Sequence, residues 1–221
     1  MKIALLLPGY LDSPNYLHLV TFEKRLKELG YTVERLDPCN LWKTGNVGVY
    51  SVTNYIEQIR ERIEFFKTQN PEEAILIGHS LGGFISILAG DIISEVTRVV
   101  ALCAPSSIEN LGKKWENKPS RVSKRDLPED ESRFREFNIP LSFVEDARKY
   151  SAIDAVSKIN KPLMIFIGLA DTSVSPKETE ILASNAVHPY VVKMQNIGHN
   201  FRHSQEECYL VMNEIEKFLG Q

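Results

Sequence analysis

Ten residues, Ile75-Leu76-Ile77-Gly78-His79-Ser80-Leu81-Gly82-Gly83-Phe84, constrain this chain more than any other stretch. An apolar run of strand character stops at glycine, places one serine at the break, and continues with the spacing of a helix. A serine on so sharp a turn projects its hydroxyl into solvent. The N–H after it and the helix N-terminus face whatever binds there. Gly78 and Gly82 leave room for a bend that side chains would crowd, and Gly83 lets the new helix pack close to its neighbours.

The flanking sequence repeats the alternation. Residues 3–7 are a continuous apolar run, ended by Pro8-Gly9-Tyr10, as expected for a strand covered on both faces. Leu19, Phe22, Leu26 and Leu29 recur at helical spacing before Gly30. Residues 31–36 form a second strand, and Ser51 caps a helix with Val52, Ile56, Ile59, Ile63 and Phe66 on one stripe. Further strands are predicted at 73–77, 96–103, 163–169 and 190–194. Ser175-Pro176-Lys177-Glu178 and Ser204-Gln205-Glu206-Glu207 read as capping boxes that open helices. Strand and helix in alternation predict a parallel sheet with helices on both faces.

Residues 105–150 break the pattern: 19 of these 46 are charged, against 25 % for the whole chain. They read as an insertion on the rim of the sheet, with Trp115, Phe134, Phe137 and Phe143 to pack it.

A serine hydroxyl is a weak nucleophile near neutral pH and needs a base, which in turn needs an orienting carboxylate. In an open parallel sheet such groups lie beyond the carboxyl ends of the strands. Asp171 follows the strand at 163–169, and His199 follows the strand at 190–194 in Gly198-His199-Asn200-Phe201. Ser80, Asp171 and His199 therefore stand in that order at three strand ends. Asp154 and Glu145 are the competing carboxylates, but neither directly follows an apolar strand. Asp171 can also be read as a simple turn former. His79 is read as structural and pointing away from the turn. His203 lacks a preceding glycine, and His18 and His188 are read as surface histidines.

These motifs, with Pro8-Gly9-Tyr10, make the chain resemble an α/β-hydrolase of the serine-hydrolase kind, similar to small microbial carboxylesterases and monoacylglycerol-lipase-like enzymes. The stretch around Ser80 then corresponds to the nucleophile elbow. The resemblance implies an α/β-hydrolase fold with a reduced, mainly parallel sheet, about six strands in number. Residues 1–104 and 160–221 would form the core and 105–159 a charged lid or cap. It implies Ser80 as nucleophile, His199 as general base and then acid, and Asp171 as the orienting group. It also implies an oxyanion hole of two backbone N–H groups, one from Leu81 and one from Tyr10, with Leu11 as the second choice. The family usually has His-Gly where this chain has Pro8-Gly9.

The activity expected is cleavage of carboxylic esters of small to medium soluble substrates through an acyl-enzyme, with no cofactor. Thioesterase, amidase or aminopeptidase, and carbon–carbon hydrolase activities use the same triad. A slow-turnover ligand-binding receptor on a hydrolase scaffold is the rival from another class. Leu11, Trp115, Phe134, Phe137 and Phe143 are candidates for the substrate pocket, although the aromatic ones equally suit packing of the insertion. No His/Asp/Glu cluster has metal-ligand spacing, so no metal is expected. A net charge of −3 implies no general affinity for nucleic acid. No stretch reaches the roughly 18 apolar residues of a membrane span. The first apolar run is too short for a secretory signal, and three scattered cysteines fit a reducing compartment, so a cytoplasmic location is expected. Oligomeric state is not legible.

Overall fold

Continuous apolar runs become strands buried on both faces because successive side chains point to opposite sides of a sheet. A computed structural model of the chain describes residues 1–115 and 118–220. In chain order its main elements begin with β1 (Lys2–Leu7), α1 (Leu17–Glu28), β2 (Tyr31–Arg35), α2 (Leu41–Thr44), α3 (Val52–Lys67), β3 (Glu73–His79), α4 (Leu81–Ile92) and β4 (Arg98–Leu102). Then come α5 (Glu109–Gly112), β5 (Ser120–Leu127), β6 (Asp130–Pro140), α6 (Ser142–Ala147) and α7 (Ala152–Val156). The chain closes with β7 (Leu163–Gly168), α8 (Pro176–Asn185), β8 (Tyr190–Met194) and α9 (Gln205–Leu219).

Six strands form one sheet in the order β2-β1-β3-β4-β7-β8, and every pairing is parallel. Along β1 the side chains alternate between two cores. Ile3, Leu5 and Leu7 join the core that contains α3, α4 and α7, whereas Ala4 and Leu6 join the core that contains α1 and α9. Helix α4 is buried all round from Leu81 to Gly90, which explains why it carries no charged face. Ser51 and Ser204 cap α3 and α9 through their hydroxyls, accepting from the N–H groups of Asn54 and Glu207. At Ser175 the capping box does not form. The Glu178 N–H is taken by the Ser175 carbonyl, and the hydroxyl is left out.

Within residues 105–150 the sequence reading missed an antiparallel hairpin, β5 with β6, that forms a separate two-stranded sheet. Its solvent-facing residues carry the charge. Phe137 and Ile139, two apart on β6, point inward and join the α3/α4 core together with Trp115, Phe143, Val144 and Ala147. No helix among the described residues is long and apolar enough to cross a membrane.

Candidate active site

A parallel sheet puts the carboxyl ends of all its strands on one edge, and β3, β7 and β8 deliver Ser80, Asp171 and His199 there. Ser80 sits at φ 55°, ψ −119°, a conformation that costs a non-glycine residue about 1–3 kcal/mol and clusters at functional sites. The turn is held by the Ser80 N–H donating to the Leu102 carbonyl and by the Ser80 carbonyl accepting from Phe84. Its tightness depends on the two flanking glycines. A Cβ on Gly78 would lie 2.0 Å from the Gly82 carbonyl oxygen, and one on Gly82 would lie 2.0 Å from that of Leu7.

Ser80 Oγ lies 3.0 Å from His199 Nε2, and His199 Nδ1 lies 2.7 Å from Asp171 Oδ2. The other carboxylate oxygen of Asp171 accepts from the N–H groups of Ser173 and Val174, both at 2.8 Å. The loops that carry acid and base are tied together. Leu169 N–H donates to Met194, and Ala170 N–H donates to Ile197. A buried carboxylate with both oxygens engaged, bonded to one ring nitrogen of a histidine, fixes that imidazole with its other nitrogen toward the serine. The structure thus brings together the three residues predicted from strand ends. Asp154 lies in the first turn of α7, where its N–H donates to the Ser151 hydroxyl, and Glu145 lies in the first turn of α6; neither is bonded to His199.

A cavity of about 360 Å³ opens in front of Ser80. Tyr10, Ser80, Leu81 and His199 line it, together with Lys114, Arg125 and Arg202. The N–H groups of Tyr10 and Leu81 donate to no other group among the described residues, whereas the Leu11 N–H is engaged by the Tyr50 hydroxyl at 3.0 Å. Of the two candidates in this loop, Tyr10 is therefore the one with a free donor. Arg125, from β5, fastens the loop from the other side. Its Nε and Nη2 donate to the Tyr10 carbonyl at 2.8 and 2.5 Å, and Nε lies 3.3 Å from Asp12 Oδ1.

None of the five expected pocket residues reaches the cavity wall. Leu11, Trp115, Phe137 and Phe143 are buried in the core, where Phe143 stacks on Tyr50 and on Trp115 and Phe137 meets Trp42 edge-on. Phe134 points to solvent from the outer face of the hairpin. Apolar rings lose most by facing a wet cavity, so they turn inward, and the wall mixes polar side chains with Leu81, Ile108, Leu111 and Val174. Lys114, Arg125, Arg202 and Asp12 were not predicted. They lie in charged or loop sequence with no local signal of direction.

Behind the triad lies a second correction. His18 is fully buried, not a surface residue, and its ring meets His79 at 5.2 Å between centroids, while His79 meets His199 at 4.8 Å. His79 is buried as well, as expected of a structural residue, and neither imidazole has a side-chain hydrogen-bond partner among the described residues. Burial, reinforced by His199, Arg202 and neighbouring imidazoles, pushes both pKa values well below the ordinary histidine range. Asp12, whose Oδ2 is 3.9 Å from His79 Nδ1, is the carboxylate facing the pair. Both imidazoles stay neutral in the fold as pH falls, while the unfolded chain takes up protons near pH 6.5. Stability is therefore full above that value and is lost below it, by about 1.4 kcal/mol per pH unit for each group. Urea unfolding between pH 7 and 5 is expected to show this slope, and His18→Phe to reduce it by about half. A midpoint independent of pH in that window would contradict the assignment.

No protein-family model matches the chain, and no curated protein matches it in sequence. Solved structures do match in shape. Est1E from Butyrivibrio proteoclasticus with ferulic acid bound superposes at TM-score 0.79, with 17 % identity over 99 % of this chain and 88 % of that one. The chain has the α/β-hydrolase fold. The esterase domain of a Rhodothermus marinus protein matches at TM-score 0.72 and 23 % identity, over 97 % of this chain and 84 % of that one. Alpha/beta hydrolase domain-containing protein 10 from mouse matches at 0.74 and 19 %, over 99 % and 89 %. The six parallel strands here are the α/β-hydrolase sheet in the reduced form expected from the sequence.

Proposed function

We propose that this α/β-hydrolase is a serine hydrolase that cleaves carboxylic esters through an acyl-enzyme. The observation that carries the reading is the unbroken relay from Ser80 Oγ through His199 to Asp171, at 3.0 and 2.7 Å. Esterases among the similar folds support ester substrates.

In the proposed reaction Ser80 Oγ attacks the acyl carbon while His199 Nε2 takes its proton, and Asp171 stabilises the imidazolium. The carbonyl oxygen becomes an oxyanion between the N–H groups of Leu81 and Tyr10, where each donor contributes about 3 kcal/mol to lowering the barrier. Collapse breaks the bond to the leaving oxygen, which takes the proton from Nε2 and departs as the alcohol. Water then attacks the acyl-enzyme, giving its proton to Nε2. The Ser80–acyl bond breaks, the acid leaves, and Ser80 recovers its proton. Residues 105–159 act in this reading as a cap that reaches the cavity through the segment before the hairpin, Pro105 to Lys114, and through Arg125 of the hairpin. The three cysteines are unpaired, in keeping with work in the cytoplasm.

Treatment with a fluorophosphonate, followed by peptide mass spectrometry, is expected to place one adduct on Ser80. A panel of 4-nitrophenyl esters of increasing acyl length is expected to show multiple turnovers with a single optimum set by the cavity. Absence of both adduct and turnover would overturn the proposal.

A further inference from the structure

Most charges around the cavity are already matched. Arg202 makes two bonds to Asp126, at 2.8 and 3.2 Å, and lies over the Tyr16 ring. Glu178, the carboxylate in the wall, is held by a neutral group, accepting from the Asn110 amide at 2.7 Å. Lys114 is different. Its ammonium has no ion pair or hydrogen bond among the described residues, and the charges that act on it are the guanidiniums of Arg121 and Arg125, which push its pKa down alongside partial burial. Arg125 is anchored through Nε and Nη2, and its Nη1 donates to nothing in the described chain. Two basic side chains thus border one cavity beside the nucleophile, Lys114 with no acceptor among the described residues and Arg125 paired with Asp12 but with one nitrogen unengaged.

We infer that the Lys114–Arg125 wall receives an anionic oxygen group, so that the preferred substrate is an ester carrying a second, negatively charged group such as a free carboxylate. The inference rests on the serine-hydrolase reading and narrows its substrate class. An anion there would make charge-assisted contacts with donors that are otherwise left to water. The hydroxyls of Ser107 and Ser173, both in the wall, give the remaining polar valences of such a group a place to bond.

The test compares mono-4-nitrophenyl esters of dicarboxylic acids with 4-nitrophenyl esters of monocarboxylic acids of matched chain length, each rate taken over the Ser80→Ala background. The half-esters are expected to show kcat/KM about tenfold higher, carried mainly by KM and weakened by added salt. Lys114→Glu is expected to reverse the preference, and Lys114→Arg to keep it. Equal or lower kcat/KM for the half-esters, or a ratio unmoved by Lys114→Glu, would overturn the inference while Ser80-dependent turnover of the neutral esters left the hydrolase reading standing. Should neither ester turn over, the hydrolase reading fails and the anion site is judged by calorimetric titration of Ser80→Ala protein. Binding of the half-ester about tenfold tighter than the neutral ester sustains the site, and equal or absent binding overturns it.

Discussion

Replacing Ser80 with alanine is expected to reduce aryl-ester turnover about a millionfold, leaving only what the oxyanion donors and binding contribute. The size follows from geometry. Ser80 Oγ, His199 Nε2 and Asp171 Oδ2 are joined by hydrogen bonds of 3.0 and 2.7 Å, so in the proposed reaction they act as one unit. Removing a second member should therefore add almost nothing: Ser80→Ala/His199→Ala is expected to match Ser80→Ala within a small factor. Asp171→Asn keeps the shape but lets the amide dictate the imidazole tautomer, and about a ten-thousandfold loss is expected. Single-turnover kinetics with an aryl ester measure all three. A loss below about a hundredfold in Ser80→Ala would place the nucleophile elsewhere.

Gly82→Ala is expected to remove more than about 4 kcal/mol of stability, a large part of what a domain of this size has. The added Cβ would lie 2.0 Å from the Leu7 carbonyl oxygen and 2.6 Å from that of Pro8. Both are backbone atoms at the end of a central strand, with no flexible side chain to swing aside. Relief requires either β1 or α4 to move, and each is buried on every side. Gly30→Ala is the contrasting control. Gly30 has φ +85° but open space around it, and a loss of only about 1 kcal/mol is expected there. Urea midpoints and soluble yield distinguish the two, and equal losses would show that the close approach at Gly82 is not what matters.

The sheet and the placement of Ser80, Asp171 and His199 at its strand ends were readable because local chemistry reports them. Each strand is an apolar run with a clear stop, and Ser80, Asp171 and His199 each sit at such a stop. What the sequence hid depends on direction. Whether Trp115 and Phe143 face the cavity or the core is decided by contacts with Tyr50 and the α3/α4 core, far away in the chain. The hairpin was obscured because β5 is half-buried along most of its length and β6 is largely exposed, and the alternation that betrays a half-buried strand survives only at Phe137 and Ile139. His18 was missed for a simpler reason. It precedes Phe22 and Leu26 at four-residue steps, which puts it on the apolar face of α1, but its polarity argued for the surface.

The strand order also bears on how a ribosome delivers this protein. Ser80 emerges early, after β3, but Asp171 and His199 follow β7 and β8, near the end of translation. Until Leu163 appears, one long side of β4 has no strand to pair with, although every residue from Val99 to Leu102 is destined for the interior. A nascent chain passing through that interval presents a bare apolar edge, the situation in which partly made sheets associate with one another. The charged hairpin is synthesised within that same window.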